Sequence, residues 1–195
     1  MVNREIGERQ TRCIAGDFRR AADDSGNQYI EGYFAVFGSN YEIGPGMSES
    51  IAPGAFTETL VNDDIRCLTD HDTRLVLGRT SAGTFEVRED GKGLWGRVLV
   101  NPNDQDAVNT QARVDRRDVT QASFGFDILE EDTEYREDGS VHWTIKKVKL
   151  YECSVCTFPA YAETNLEART RDRDRIRARE LEAWKTKMKE KIANE

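Results

Sequence analysis

The strongest constraint on the fold is the stretch from residue 121 to 158. SFGFDIL (Ser123–Leu129) puts Phe124, Phe126 and Ile128 on one side of an extended chain, and a second extended run covers Val141–Phe158. The polar turn signal REDGS lies between them. Two such runs predict a long strand pair with one apolar face, and a chain built around that pair must supply further layers to cover it.

Shorter segments continue the pattern. Thr11–Phe18 and Gln28–Phe37 alternate across DDSGN and predict a hairpin, as do Thr84–Arg88 and Leu94–Val100 across EDGKG. The segment GYFAVFGSNYEIGPGMSESIAPGAF carries five glycines and two prolines and predicts a loop. A short helix over FTETL follows Pro53-Gly54. Ile65–His71 reads as a strand. Asp104–Arg117 reads as a helix, with acidic residues early and basic ones late. Beyond Leu166, the positions Leu181, Trp184, Met188 and Ile192 recur at helical spacing among charges. The expected class is α+β: a mainly antiparallel β-barrel flanked by a few helices, with a C-terminal amphipathic helix.

Charge places a boundary near Asn165. Residues 165–195 hold ten Lys and Arg against seven Asp and Glu, and the first 164 hold 18 against 29. The expected organisation is a domain over 1–164 and a charged helical tail over 165–195, whose narrow apolar stripe permits self-association. A net charge of −8 argues against specific nucleic-acid binding by the surface. No apolar run is long enough to span a membrane, and MVNREIGERQTR lacks a signal-peptide apolar stretch, so the reading is a soluble intracellular protein. The four cysteines are then free thiols.

Several residues call for an explanation. Cys153-x-x-Cys156 and Cys67-x-x-x-His71 have spacings that suggest zinc. On strands, however, residues three apart face opposite ways, and residues four apart lie about 13 Å from each other. No metal or other cofactor is therefore expected. His71 falls at the rim of the core if its strand holds; alone, it reads equally as a partly buried, hydrogen-bonded histidine. Alternation puts Val148, Leu150, Glu152, Ser154 and Cys156 on one face, so Glu152 sits among apolar neighbours. An inward carboxylate costs several kcal/mol, on the order of what an unpaired buried charge costs, unless it is paired. A histidine needing an orienting acceptor would supply the pair; a bulge or edge facing water would serve as well. Ser123 opens its strand, and Gly125 clears the same face two residues on, leaving room for a substrate backbone. His142 falls beside the hairpin tip and should be exposed.

EGYFAVFGS, IAPGAF at 51–56, TDHDTRLVLGRT at 69–80, ASFGF at 122–126 and LYECSVCTFPAY at 150–161 occur together and in order. Over about residues 28–164 this resembles the prohead maturation proteases of tailed bacteriophages, which are related in fold to the herpesvirus assembly protease. Cys153 stands where the family usually has a valine-like residue. The resemblance implies a serine endopeptidase with Ser123 as nucleophile and His71 as general base. The herpesvirus relatives use a second histidine as third member, an order that 71, 123 and 142 would match. Glu152 is preferred, because it lies inside the Tyr-Glu-x-Ser motif and reads as inward-facing. Arg79, in the Leu-Gly-Arg motif, would help form the oxyanion site, with Gly125 in support. The implied partners are the major capsid protein and its scaffolding segment. The implied place is the assembling procapsid in the host cytoplasm, where the protease also digests itself. The other reading is a non-catalytic scaffold of the same fold.

Overall fold

The computed structural model describes residues 10–158 and scattered residues between 174 and 189. In chain order, its first five strands are β1 (Gln10–Ala15), β2 (Arg19–Ala22), β3 (Gln28–Val36), β4 (Tyr41–Gly44) and β5 (Met47–Ile51). Helix α1 (Thr57–Asn62) precedes β6 (Arg66–Thr69) and β7 (Asp72–Arg79), and a 3-10 turn over Thr80–Ala82 follows. The hairpin β8 (Phe85–Glu89) and β9 (Gly93–Leu99) leads to α2 (Gln105–Asp115). The long strands β10 (Gln121–Tyr135) and β11 (Val141–Cys156) complete the series.

These elements correct the expected class. The described residues are mostly β, arranged in two sheets, and neither sheet closes into a barrel. One sheet runs β1-β10-β11-β5-β4, and β6 and β7 branch from the far half of β11. The other runs β2-β3-β9-β8. Alternation marks which face of a strand is apolar, but closure depends on whether edge strands pair, and that leaves no local trace. The first sheet is also mixed, because β11 pairs in parallel with both β5 and β6. Sixteen residues of β11 are long enough to take one neighbour on each half. The C-terminal amphipathic helix falls largely outside the described residues, and the elements with defined bounds end at β11. Leu181, Trp184 and Met188 in the tail segment are exposed. No helix among the described residues is long and apolar enough to cross a membrane.

The core lies where the two sheets face each other. Phe124 and Phe126 stack at 4.7 Å, Phe56 meets Phe124 edge-on at 5.5 Å, and Phe18, Phe34 and Phe85 form a second edge-to-face chain. Aromatic pairs at these distances add to the area they bury. The hairpin of β8 and β9 forms as expected. The first hairpin is different: Arg19–Ala22 pairs with β3, whereas Gln10–Ala15 crosses to the other sheet and pairs with β10. The Gly- and Pro-rich segment read as loop contains β4 and β5, and Met47, Glu49 and Ile51 in β5 are buried. Asp104 precedes helix α2 as its N-cap, and its side chain accepts from the N–H groups of Asp106 and Ala107.

Candidate active site

Two local irregularities bring three distant side chains together. The first is a bulge in β11. Gly125 pairs with Glu152 while its neighbour Phe126 pairs with Leu150, so Tyr151 is an extra residue on β11. Cross-strand partners share a face, and successive residues do not. Leu150 therefore shares the core face with Phe126, whereas Glu152 and Ser154 share the opposite face with Gly125 and Ser123. The expected single face from Val148 to Cys156 is broken at this point, which is how a bulge re-aims a side chain. Glu152 is still buried, at 3% exposure.

The second irregularity is the turn between β6 and β7. Thr69 pairs with Asp72, so Asp70 and His71 form a two-residue hairpin loop with φ of 49° and 59°. Positive φ at both positions is what the tightest hairpin turns demand, and Asp and His tolerate it better than most residues other than glycine. His71 thus stands in a turn and not at the end of a strand. The turn is fastened to the end of β11: Asp70 N–H donates to the Val155 carbonyl at 3.0 Å. The Asp70 carboxylate accepts from Thr157 N–H at 2.7 Å and from its hydroxyl at 3.0 Å. His71 N–H donates to Ser154 Oγ at 3.2 Å.

The result is a continuous chain of contacts. His71 Nε2 lies 2.8 Å from Ser123 Oγ, and His71 Nδ1 lies 2.8 Å from Glu152 Oε1. Ser154 Oγ donates to Glu152 Oε2 at 2.6 Å, so the carboxylate is held at both oxygens. Gly125 occupies the position directly opposite. A Cβ there would overlap Glu152 Oε1, so the missing side chain makes room for the carboxylate and not for a substrate backbone.

Ser123 is fully buried, and its hydroxyl donates to the Arg12 carbonyl at 2.9 Å. Donation in that direction leaves Ser123 Oγ to accept from His71 Nε2–H. With Nδ1–H donating to Glu152, the ring carries both protons. Burial pulls the His71 pKa down, but hydrogen bonds with Cys13 and Glu152 and the charge of Glu152 outweigh it and hold it up at about 9. A raised histidine pKa stabilises the fold fully below the ordinary value of 6.5, and that stability is lost as pH rises through about 9. Urea midpoints should therefore fall between these two pH values in the wild type and much less in His71→Ala; parallel curves would contradict the assignment.

The other predicted residues lie apart. Arg79 is partly exposed and pairs with Asp64, whose carboxylate also accepts from Ser81 N–H at 3.1 Å. His142 is buried at 7% exposure, against expectation, and its ring nitrogens meet Ser48 Oγ at 2.8 Å and Ser50 Oγ at 2.9 Å. The cysteines are unbridged, and Cys67 faces Cys153 across paired strands. Among the described residues, no group of three or more His, Cys, Asp or Glu side chains could hold a metal ion. Sequence reasoning missed Ser154. Its place in Glu-x-Ser on one strand, two residues from Glu152 and sharing its face, was the available signal.

An alcohol, an imidazole and a carboxylate in hydrogen-bond series on a β scaffold define the serine-hydrolase type of site. The chain belongs to the caudovirus prohead serine protease family, whose model matches residues 17–179. It is similar to the prohead protease of Enterobacteria phage HK97, with 28% identity over 158 residues, 80% of this chain and 66% of that protein. The chain thus spans slightly under two thirds of that relative's length. No solved structure matches it.

Proposed function

We propose that this chain is a serine endopeptidase of capsid maturation. In this reading it cleaves the scaffolding segment of the major capsid protein, and then itself, inside the assembling prohead in the host cell. Residues 1–164 form the protease unit, and 165–195 form a charged tail that tethers or packages it. The observation that carries the reading is the series Ser123–His71–Glu152, with both links at 2.8 Å.

The chemistry follows from the groups. Ser123 Oγ attacks the peptide carbonyl carbon while neutral His71 takes the hydroxyl proton at Nε2. Glu152 accepts from Nδ1–H throughout and stabilises the imidazolium that forms. His71 then gives its proton to the leaving amine as the C–N bond breaks, leaving an acyl ester on Ser123. A water, deprotonated by the same nitrogen, hydrolyses that ester and restores the hydroxyl. Backbone N–H groups serve the developing oxyanion, a contribution that is often the largest single one. Arg79, two paired strands away from Glu152, remains the family-based candidate for support on that side.

The identity of the third member gives the test. Glu152→Gln keeps the shape but removes the acceptor charge that fixes the histidine tautomer, and peptide hydrolysis should fall by about 10²–10⁴-fold. His142→Ala should leave the rate within about threefold, because its ring is committed to Ser48 and Ser50, although it loses hydrogen bonds worth ~1 kcal/mol each in stability. The reverse pattern would transfer the role to His142.

A further inference from the structure

Among the described residues β1 ends its sheet, and its strand partner there is β10, the strand that carries Ser123. It also precedes the segment that matches the family, which starts at residue 17. It lies antiparallel to β10 with Cys13 opposite Ser123, and the Arg12 carbonyl receives the Ser123 hydroxyl at 2.9 Å. An extended peptide added to the edge of that strand would lie the same way, with main-chain hydrogen bonds supplying affinity and alternate side chains supplying selectivity.

The side chain of Arg12 faces away from the site, toward the core. It is buried at 6% exposure, and its guanidinium meets the Glu49 carboxylate as a fork, with Nη2 2.8 Å from Oε2 and Nε on the other oxygen. It also lies over the Phe126 ring, 5.4 Å from the centroid. Glu49 is fully buried. A planar fork on a carboxylate with an aromatic ring beneath it suits arginine and does not suit a neutral or acidic side chain.

We propose, building on the protease reading above, that β1 is a tethered occupant of the substrate slot. The slot is the edge of β10. It takes an extended peptide with arginine on the N-terminal side of the bond to be cut, held by Glu49 and Phe126, and β1 keeps the site at rest until it leaves. The docked strand is non-productive for a visible reason. The Ser123 proton goes to the Arg12 carbonyl oxygen, so Oγ accepts from His71 Nε2 and no base is free to activate it. Departure of β1 opens the slot and removes both the carbonyl acceptor and Cys13, one of the groups that hold the His71 pKa up; the ring then releases its Nε2 proton to solvent, and the Ser123 hydroxyl donates to the freed nitrogen.

The test separates this from catalysis by using the full chain with Ser123→Ala, under reducing conditions. A fluorescent peptide QTRCIA, and the same peptide with arginine replaced by glutamate, are titrated against it and against the full chain that also carries Arg12→Glu. The arginine peptide should bind the doubly substituted chain at least tenfold more tightly than the singly substituted one, and at least tenfold more tightly than the glutamate peptide binds. Equal affinities of the two peptides, or no gain from Arg12→Glu in a chain whose circular dichroism is native, would overturn the proposal. Should Arg12→Glu unfold the chain, amide exchange decides on the singly substituted chain alone. Saturating arginine peptide should speed exchange of residues 10–15 at least tenfold, and unchanged exchange overturns the proposal. Peptide binding without hydrolysis by the Ser123-bearing chain would instead refute the protease reading and leave the slot standing.

Discussion

Co-expressed with the capsid protein, Ser123→Ala should leave that protein at full length, whereas the wild type should trim it if the proposed function holds. Against a peptide substrate the substitution lowers the rate by about 10⁴-fold or more, the usual scale when the nucleophile of such a series is removed. The alanine deletes one oxygen from a fully buried position whose neighbours stay in place. It costs hydrogen bonds to His71 and to the Arg12 carbonyl, worth ~1 kcal/mol each, which a folded domain can absorb. The expected signature is thus lost hydrolysis with a retained cooperative thermal transition. Continued trimming by the alanine variant would remove Ser123 from the chemistry.

The second large effect comes from one methyl group. Gly125→Ala places a Cβ where Glu152 Oε1 lies. Neither side can yield easily. Gly125 sits between Phe124 and Phe126, both fully buried, and the carboxylate is fixed by Ser154 and His71. On backbone grounds alone, alanine in a strand should stabilise relative to glycine. The expected result has the opposite sign: a loss of about 1–3 kcal/mol from overpacking, seen in urea unfolding, and a fall in hydrolysis comparable to that of Glu152→Gln. An active variant with a raised melting temperature would show that the carboxylate does not need this gap.

Both effects rest on features only partly legible in the chain. Phe124 and Phe126 announce a buried strand face through alternation alone, and the acidic start and basic end of Asp104–Arg117 announce α2. Ser123, His71 and Glu152 were singled out from residue type, pattern and resemblance. What brings them together was not legible. The Asp70-His71 turn lacks the Asn-Gly pair that signals such hairpins, so the strand expected over Ile65–His71 runs two residues past its observed end at Thr69. The bulge at Tyr151 leaves no mark in the alternation, yet it alone moves Glu152 off the face of Leu150. Strand β5 was hidden by the glycines and prolines around it, although Met47 and Ile51 in it pack inward. β1 crosses to the first long strand, β10, where Arg12 joins Glu49 in a buried ion pair between residues 37 apart, and no local rule joins them. The sheets stay open for a similar reason: closure is a property of edges and not of strands.

The most direct measurement is mass-spectrometric mapping of the residue that a fluorophosphonate modifies in the full chain, in wild type and in His71→Ala. If His71 activates Ser123, the adduct sits on Ser123 in the wild type and forms at least a hundredfold more slowly in His71→Ala. An adduct elsewhere, no adduct, or labelling of Ser123 undiminished by loss of the imidazole would contradict it.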